Sequence, residues 1–141
     1  MKLAGFNFSK INIEKLSDKL EGLKISTNID ISEINPVKAG LFKTKEEFLG
    51  IKFEYNVNYD PKIAKIALQG NILLAVDTKV AKEVLKEWKK KKMSEEFRMA
   101  VFNLILKKSS LKALQLEDEL NLPLHIQLPS VKKGNKDPSK K

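Results

Sequence analysis

A strict alternation of apolar and polar residues marks the middle of the chain. Five apolar side chains are separated by single polar residues, which is the two-residue period of a strand with one apolar face: Ile51, Phe53, Tyr55, Val57 and Tyr59. Asp60-Pro61 interrupts this pattern, because proline fixes φ and has no N–H to donate. The alternation then resumes over residues 64–76. The two runs predict a long antiparallel pair with one apolar face.

Two earlier segments also show strand patterns. Residues 23–31 alternate regularly, whereas residues 6–13 are interrupted at Ser9-Lys10, which predicts a strand or a strand with a bulge. Gly70-Asn71 is compatible with a two-residue hairpin turn. The apolar face keeps its phase across this glycine, however, so a single continuous strand is favoured.

Helical spacing replaces the alternation after Asp77. Asp77 or Thr78 can cap a first helix, which carries four apolar residues on one side: Val80, Val84, Leu85 and Trp88. Ser94 can cap a second helix over residues 95–108. Apolar residues surround most of that helix, including Phe97, Val101 and Phe102, which predicts a central core position or a subunit interface. Residues 111–128 are leucine-rich but irregular and predict an extended segment along the body.

These elements predict an α+β fold, with a four-stranded antiparallel sheet followed by two helices packed on one face. The chain has 141 residues, which suits one domain, and we assign that domain to residues 1–131. Residues 132–141 hold five lysines and one aspartate, so they carry +4 of the net charge of +9. This basic segment is predicted to be a disordered tail.

The amino-acid composition limits the cellular compartments and the kinds of chemical site that are expected for this chain. There is no cysteine, which excludes disulfides, thiolate metal sites and a cysteine nucleophile. The N-terminus lacks a signal-peptide pattern and no apolar stretch is long enough to span a membrane, so a cytoplasmic protein is expected.

The motifs that support catalysis or cofactor binding are missing. His125 is the single histidine and has no readable partner in the sequence, so a structural role is favoured over a catalytic or metal-binding one. Glu117-Asp118-Glu119 is interpreted as a solvated acidic patch or a cap to a short helical turn rather than a cation site. No glycine-rich phosphate loop occurs. We therefore expect a non-enzymatic protein without cofactor or metal.

A lysine cluster ends the first predicted helix and offers a second interpretation. Cations at a helix C-terminus are stabilised by the helix dipole, which is a sufficient structural explanation. The alternative is a nucleic-acid contact, with RNA or the ribosome as partner, through Lys86, Lys89, Lys90, Lys91, Lys92, Lys132 and Lys133. Arg98 is the only arginine, so base-specific reading of DNA is disfavoured.

The apolar surface of the predicted elements exceeds what two short helices can cover. Such a surplus indicates either self-association or a groove for apolar peptides. Both alternatives stay open at this point.

The order of elements resembles the SecB family of export chaperones. The likeness covers residues 6–131: the strands at 6–11, 23–31 and 51–59, the run Ala67-Leu68-Gln69-Gly70-Asn71-Ile72-Leu73, and the helical and proline-containing stretches that follow. The resemblance implies dimers or tetramers that bind unfolded or extended polypeptide without ATP. SecB proteins tend to be acidic and to meet the motor SecA through acidic surface, whereas this chain is basic.

The resemblance also implies which residues form the binding surface or the interface. They are apolar residues of the central strands and the helices: Phe53, Tyr55, Val57, Leu68, Ile72, Leu74, Trp88, Phe97, Val101 and Phe102. Their expected role is nonspecific apolar contact, with strand edges offering backbone hydrogen bonds. The predicted function is therefore chaperone-like polypeptide binding, with RNA or ribosome association as the alternative.

Overall fold

The described residues form one antiparallel sheet and two helices. The computed structural model describes residues 1–38, 46–131 and 133. Its elements follow in chain order: β1 (Lys2–Lys15), β2 (Lys24–Val37), β3 (Glu46–Asp60), β4 (Ala64–Asp77), α1 (Thr78–Trp88) and α2 (Glu95–Glu119). The α+β class and the four-stranded sheet followed by helices are as the sequence predicts.

The strand order β1-β4-β3-β2 places the predicted central pair in the middle of the sheet. Tyr55 lies opposite Leu68, and Phe53 lies opposite Gly70, so the apolar positions of β3 and β4 share one face. β4 continues through Gly70-Asn71, which confirms the continuous strand. In β1 the register shifts between Phe8 and Lys10, which confirms the predicted bulge.

The two sheet faces have opposite character. The helices pack mainly against β2, β3 and β4, and the side chains between the helices and the sheet form the core. The other face carries amide and charged side chains in an open depression, including Asn12, Asn28, Asn56 and Gln69. Every second residue of β3 is therefore buried, while its neighbours meet solvent.

The second helix is longer than predicted. α2 continues through Ser109 and Ser110 to Glu119, so the interpretation of residues 111–119 as irregular is wrong. Both serines and Ala113 are buried. Because their side chains are small, they let this part of α2 lie on the sheet, whereas the sequence rule treats paired serines as weak helix formers.

The two helix caps differ, and this difference gives a paired prediction. The Ser94 hydroxyl accepts a hydrogen bond from the Phe97 N–H at 3.3 Å, whereas Asp77 makes no side-chain cap bond at the start of α1. Ser94→Ala should therefore lower the free energy of unfolding by about 1 kcal/mol, and Asp77→Ala should lower it less. Urea unfolding of both variants tests this, and equal losses would contradict the assignment of the caps.

Two predicted segments fall outside the described part of the chain. Of the basic tail, 132–141, only Lys133 is described, and it is exposed. The connection between β2 and β3 also includes residues 39–45, which lie outside the described ranges. Within the described ranges, neither helix is long and apolar enough to cross a membrane.

Candidate polypeptide-binding site

The chain reverses direction where α2 ends. The Leu122 N–H bonds to the Glu117 carbonyl at 2.9 Å and the Asn121 N–H bonds to the Asp118 carbonyl at 3.3 Å. Asn121 adopts a φ of 53°, so the three features together form a Schellman motif. The residues that follow, 120–131, contain no helix or strand, and we call them the strap.

A buried carboxylate holds the strap to α2. Glu117 Oε1 accepts hydrogen bonds from the His125 backbone N–H at 3.2 Å and from His125 Nδ1 at 2.9 Å. The second oxygen, Oε2, lies 2.8 Å from Nδ1, so the imidazole faces both carboxylate oxygens. The two side chains are 0% and 3% exposed, so solvent does not weaken this contact.

The hydrogen bonds continue from the strap into the sheet. The Tyr55 hydroxyl lies 2.9 Å from His125 Nε2 and 3.1 Å from the Ser110 hydroxyl, while the Tyr59 hydroxyl donates to the Pro123 carbonyl at 2.5 Å. Nδ1 donates to the Glu117 carboxylate, and Nε2 is placed to accept a hydrogen bond from the Tyr55 hydroxyl. We call Tyr55, Tyr59, Ser110, Glu117 and His125 the clamp.

The clamp changes the interpretation of two sequence motifs. Glu117 is fully buried, so its assignment to a solvated acidic patch is wrong, whereas Asp118 and Glu119 are exposed as predicted. His125 has a carboxylate partner that the sequence did not reveal, because the pair is brought together by the reversal after α2. Tyr55 and Glu117 have no exposed surface, and the clamp holds the strap against α2 and the sheet.

Burial also sets the acidity of the two clamp tyrosines. Burial raises the pKa of Tyr55, and the Glu117 charge adds to this, while the hydrogen bond with Ser110 opposes it. Burial and the nearby Glu117 carboxylate raise the pKa of Tyr59 far above its usual value near 10. The folded protein therefore keeps two phenolic protons that the unfolded chain releases.

This pKa difference predicts alkaline unfolding. Below about pH 10 both states keep the protons, so folding stability does not depend on the tyrosines there. Above pH 10 the unfolded chain loses them first, and stability should fall as pH rises. The chain has only two tyrosines, so phenolate absorbance reports this pair alone. We expect phenolate to appear only together with unfolding, and ionisation near pH 10 in a folded protein would contradict the burial.

An uncovered apolar surface lies beside the clamp, along the edge of the sheet. The Phe6, Phe8 and Phe53 rings form a cluster with centroid separations of 5.2 to 6.3 Å. Phe53 is buried, but the two β1 rings are only half-buried, and Leu3 and Ile11 of the same strand are 45% and 46% exposed. We call these β1 side chains the open apolar edge.

The ten residues predicted for binding or interface fall into two groups. Trp88 and Phe102 are partly exposed, and the others are buried in the core: Phe53, Tyr55, Val57, Leu68, Ile72, Leu74, Phe97 and Val101. Their assignment to a binding surface stays a prediction. A polypeptide reaches the buried group only if a covering segment moves. The sequence missed the β1 residues, although their alternation is the signal that places them on the same face.

The lysine cluster surrounds the corner between α1 and α2. Lys86 and the four lysines that follow α1 are exposed, while Lys132 lies outside the described residues. The Lys91 ammonium lies 4.7 Å from the Trp88 ring, a cation–π distance. A depression of about 490 Å³ at this corner is lined by both lysines and carboxylates, with Glu83 and Glu87 among them. The described residues contain no group of three or more potential metal ligands of the histidine, cysteine or carboxylate type.

One solved structure has the same arrangement of elements. The SecB-like chaperone Rv1957 of Mycobacterium tuberculosis, in complex with a ChAD peptide from the Rv1956 HigA1 antitoxin, is similar with a TM-score of 0.54. The fold is SecB-like. The alignment covers 92% of this chain and 89% of that chain at 10% sequence identity, so the likeness establishes the fold alone. No family model matches the chain, and no curated protein matches it in sequence.

Proposed function

We propose that this protein binds unfolded or extended polypeptide and acts as a chaperone without catalysing a reaction. The observation that carries the proposal is the open apolar edge. Within the described residues, β1 is an edge strand with no strand paired to its outer side, and its inward-facing side chains are incompletely covered by the helices. An extended segment that pairs with β1 would form the missing backbone hydrogen bonds and cover the exposed apolar side chains.

The structural neighbour supports this proposal. That SecB-like chaperone is described in complex with a peptide. A shared fold does not by itself carry a shared function, so the argument depends on the surface present in this chain.

Light scattering of an unfolding client tests the proposal directly. The 141-residue chain should suppress aggregation near stoichiometric ratio, and suppression should persist at high salt because apolar association does not weaken as salt rises. Absence of suppression at every ratio would refute polypeptide binding. Suppression lost steeply with salt would instead favour contact through the lysines, the behaviour expected for RNA or ribosome binding.

Two adjacent substitutions in β1 give a matched test of the surface. Ile11 lies opposite Leu68 on the apolar side, whereas Asn12 lies opposite Ala67 on the polar side. Ile11→Asp places a charge on the open apolar edge and should reduce client affinity about tenfold or more. Asn12→Asp introduces the same charge on the other face and should change affinity little. Equal effects would show that charge alone, rather than the apolar side, governs binding.

The same edge is where we propose self-association, so a second copy and a client segment would compete for β1. A second copy that pairs along β1 would cover apolar side chains and complete the backbone hydrogen bonds. Light scattering of size-separated protein measures the mass of the assembly. Ile11→Asp should lower this mass and Asn12→Asp should not, whereas a monomeric wild-type protein would exclude the dimer or tetramer.

A further inference from the structure

We infer that the strap is an internal ligand, which occupies part of the polypeptide-binding face until a client segment of similar chemistry displaces it. This inference rests on the proposed function and adds a client class and a means of regulation. The strap makes the contacts that are expected of a bound peptide from another protein.

The strap binds the sheet as an extended apolar polypeptide would. Leu122 is 6% exposed and belongs to the core, while the next residue offers its carbonyl to Tyr59. Two residues further on, the His125 ring meets Tyr55. One aliphatic side chain, one backbone carbonyl and one polar side chain therefore hold a segment of four residues.

Only the first half of the strap is held in this way. From Ile126 onward the apolar side chains protrude, with Leu128 at 53% and Val131 at 84% exposed. Within the described residues, the strap makes no hydrogen bond to the rest of the chain after His125. A chain that is anchored at one end and free at the other can be replaced from its free end, one contact at a time.

The strap and the open apolar edge belong to one continuous face. Lys15 at the end of β1 donates to the Leu120 carbonyl, and the strap then passes from Tyr59 to Tyr55. The next inward-facing position along β3 is Phe53, which belongs to the aromatic cluster with β1. A client that binds at the exposed edge is thus one inward-facing position along β3 from Tyr55, where the hydrogen bonds of the strap end.

Release of the strap would enlarge the site. Tyr55, Val57 and Leu68 have no exposed surface and Tyr59 has 1%. The strap is bonded to both tyrosines, so its departure would uncover Tyr59 and also Tyr55, which the sequence assigns to polypeptide binding. The client class that follows is an extended aliphatic segment that tolerates proline and offers a carbonyl and a polar side chain at the strap's spacing, rather than an amphipathic helix.

The test uses variants of the 141-residue chain in which the strap is loosened. Tyr59→Phe removes the bond to Pro123 and keeps the ring in the core. His125→Ala removes the side-chain contacts with Tyr55 and Glu117 and leaves the backbone N–H bond to Glu117. The control is Ile34→Val, which removes one buried methyl group from the core. Ile34 pairs with Ile51, and Ile51 lies eight residues along β3 from Tyr59, or about 27 Å. Hydrogen exchange of the strap amides measures release, and affinity for a reduced, alkylated client measures binding.

The sole histidine gives a second readout in the wild-type protein. An unlabelled synthetic peptide with the sequence of residues 120–131 is added to isotope-labelled protein, and the single imidazole signal of His125 is followed. We expect the peptide to move this signal toward that of a solvent-exposed ring. A peptide with serine at the positions of Leu122 and Leu124 should leave it unchanged.

The outcomes separate the inference from the proposed function. The inference predicts faster strap exchange and about two- to tenfold tighter client binding in Tyr59→Phe and His125→Ala, but not in Ile34→Val. Faster exchange with unchanged or weaker binding would overturn it while leaving the proposed function intact. Unchanged exchange in both variants, or an unmoved His125 signal at saturating peptide, would also overturn it. A protein that binds no client in any form would refute the proposed function itself.

Discussion

Replacing Gly70 with alanine is expected to lower the free energy of unfolding by about 2–4 kcal/mol. A Cβ atom at this position would lie 2.5 Å from the Asn7 carbonyl oxygen and 2.7 Å from Cζ of Phe53. The Asn7 carbonyl can move away only if β1 shifts, and the Phe53 ring can move away only if it repacks in the core. Urea unfolding followed by circular dichroism measures the loss, because the midpoint shifts with stability when the slope is constant.

Gly5 supplies the matched control in another strand of the same sheet. An added Cβ at Gly5 would meet only Leu73 Cβ, at 3.7 Å, which is ordinary van der Waals contact. Gly5→Ala should therefore change stability by less than about 1 kcal/mol, and it gains from the lower entropy of the unfolded chain. Equal losses at the two positions would show that strand glycines are generally costly to replace here, and that the contact with Phe53 is not the cause.

Removal of the Glu117 side chain is expected to cost about 3–5 kcal/mol. Glu117→Ala leaves the buried His125 N–H groups without their acceptor and opens a cavity under the strap. The strap should then detach, so its amides should lose protection against exchange even where the sheet stays folded. Denaturant unfolding gives the total cost, and hydrogen exchange locates it.

Two variants separate the acceptor from the charge. Glu117→Gln retains a carbonyl oxygen that can accept from His125 but removes the charge, so it should lose less stability than Glu117→Ala. Asp118→Ala changes an exposed neighbouring carboxylate and should stay within about 0.5 kcal/mol of the wild type. If Glu117→Ala were as mild as Asp118→Ala, the clamp would not hold the strap.

Residue alternation is enough to predict the sheet. The two-residue period identifies all four strands, including the interruption near Ser9 and the continuity at Gly70, because burial of one face dictates which positions are apolar. Pairing partners are a different matter. The pattern does not show that β1 crosses to pair with β4, since an edge strand and a central strand carry the same period.

The site was harder to predict for a physical reason. Ser109 and Ser110 signal the end of a helix by propensity, but close packing on the sheet outweighs this preference. The sequence prediction ended α2 at residue 108, so it did not place a helix C-terminus before Asn121. Without that chain reversal, the contact between Glu117 and His125 could not be predicted. A buried carboxylate can be predicted only when its hydrogen-bond partner is known, and tertiary structure determines that partner.

The crossing of β1 to β4 has a consequence for synthesis. Lys2 pairs with Ala75 and Lys15 with Ala64, so the first strand to leave the ribosome has no partner until the fourth has emerged. At about 5–20 residues per second, the chain spends several seconds with Phe6 and Phe8 exposed. During that interval β2, β3 and β4 can form a meander by short connections. A protein proposed to bind the exposed segments of other chains therefore has such a segment itself during synthesis. That segment is β1, which can enter the sheet only after β4 has emerged.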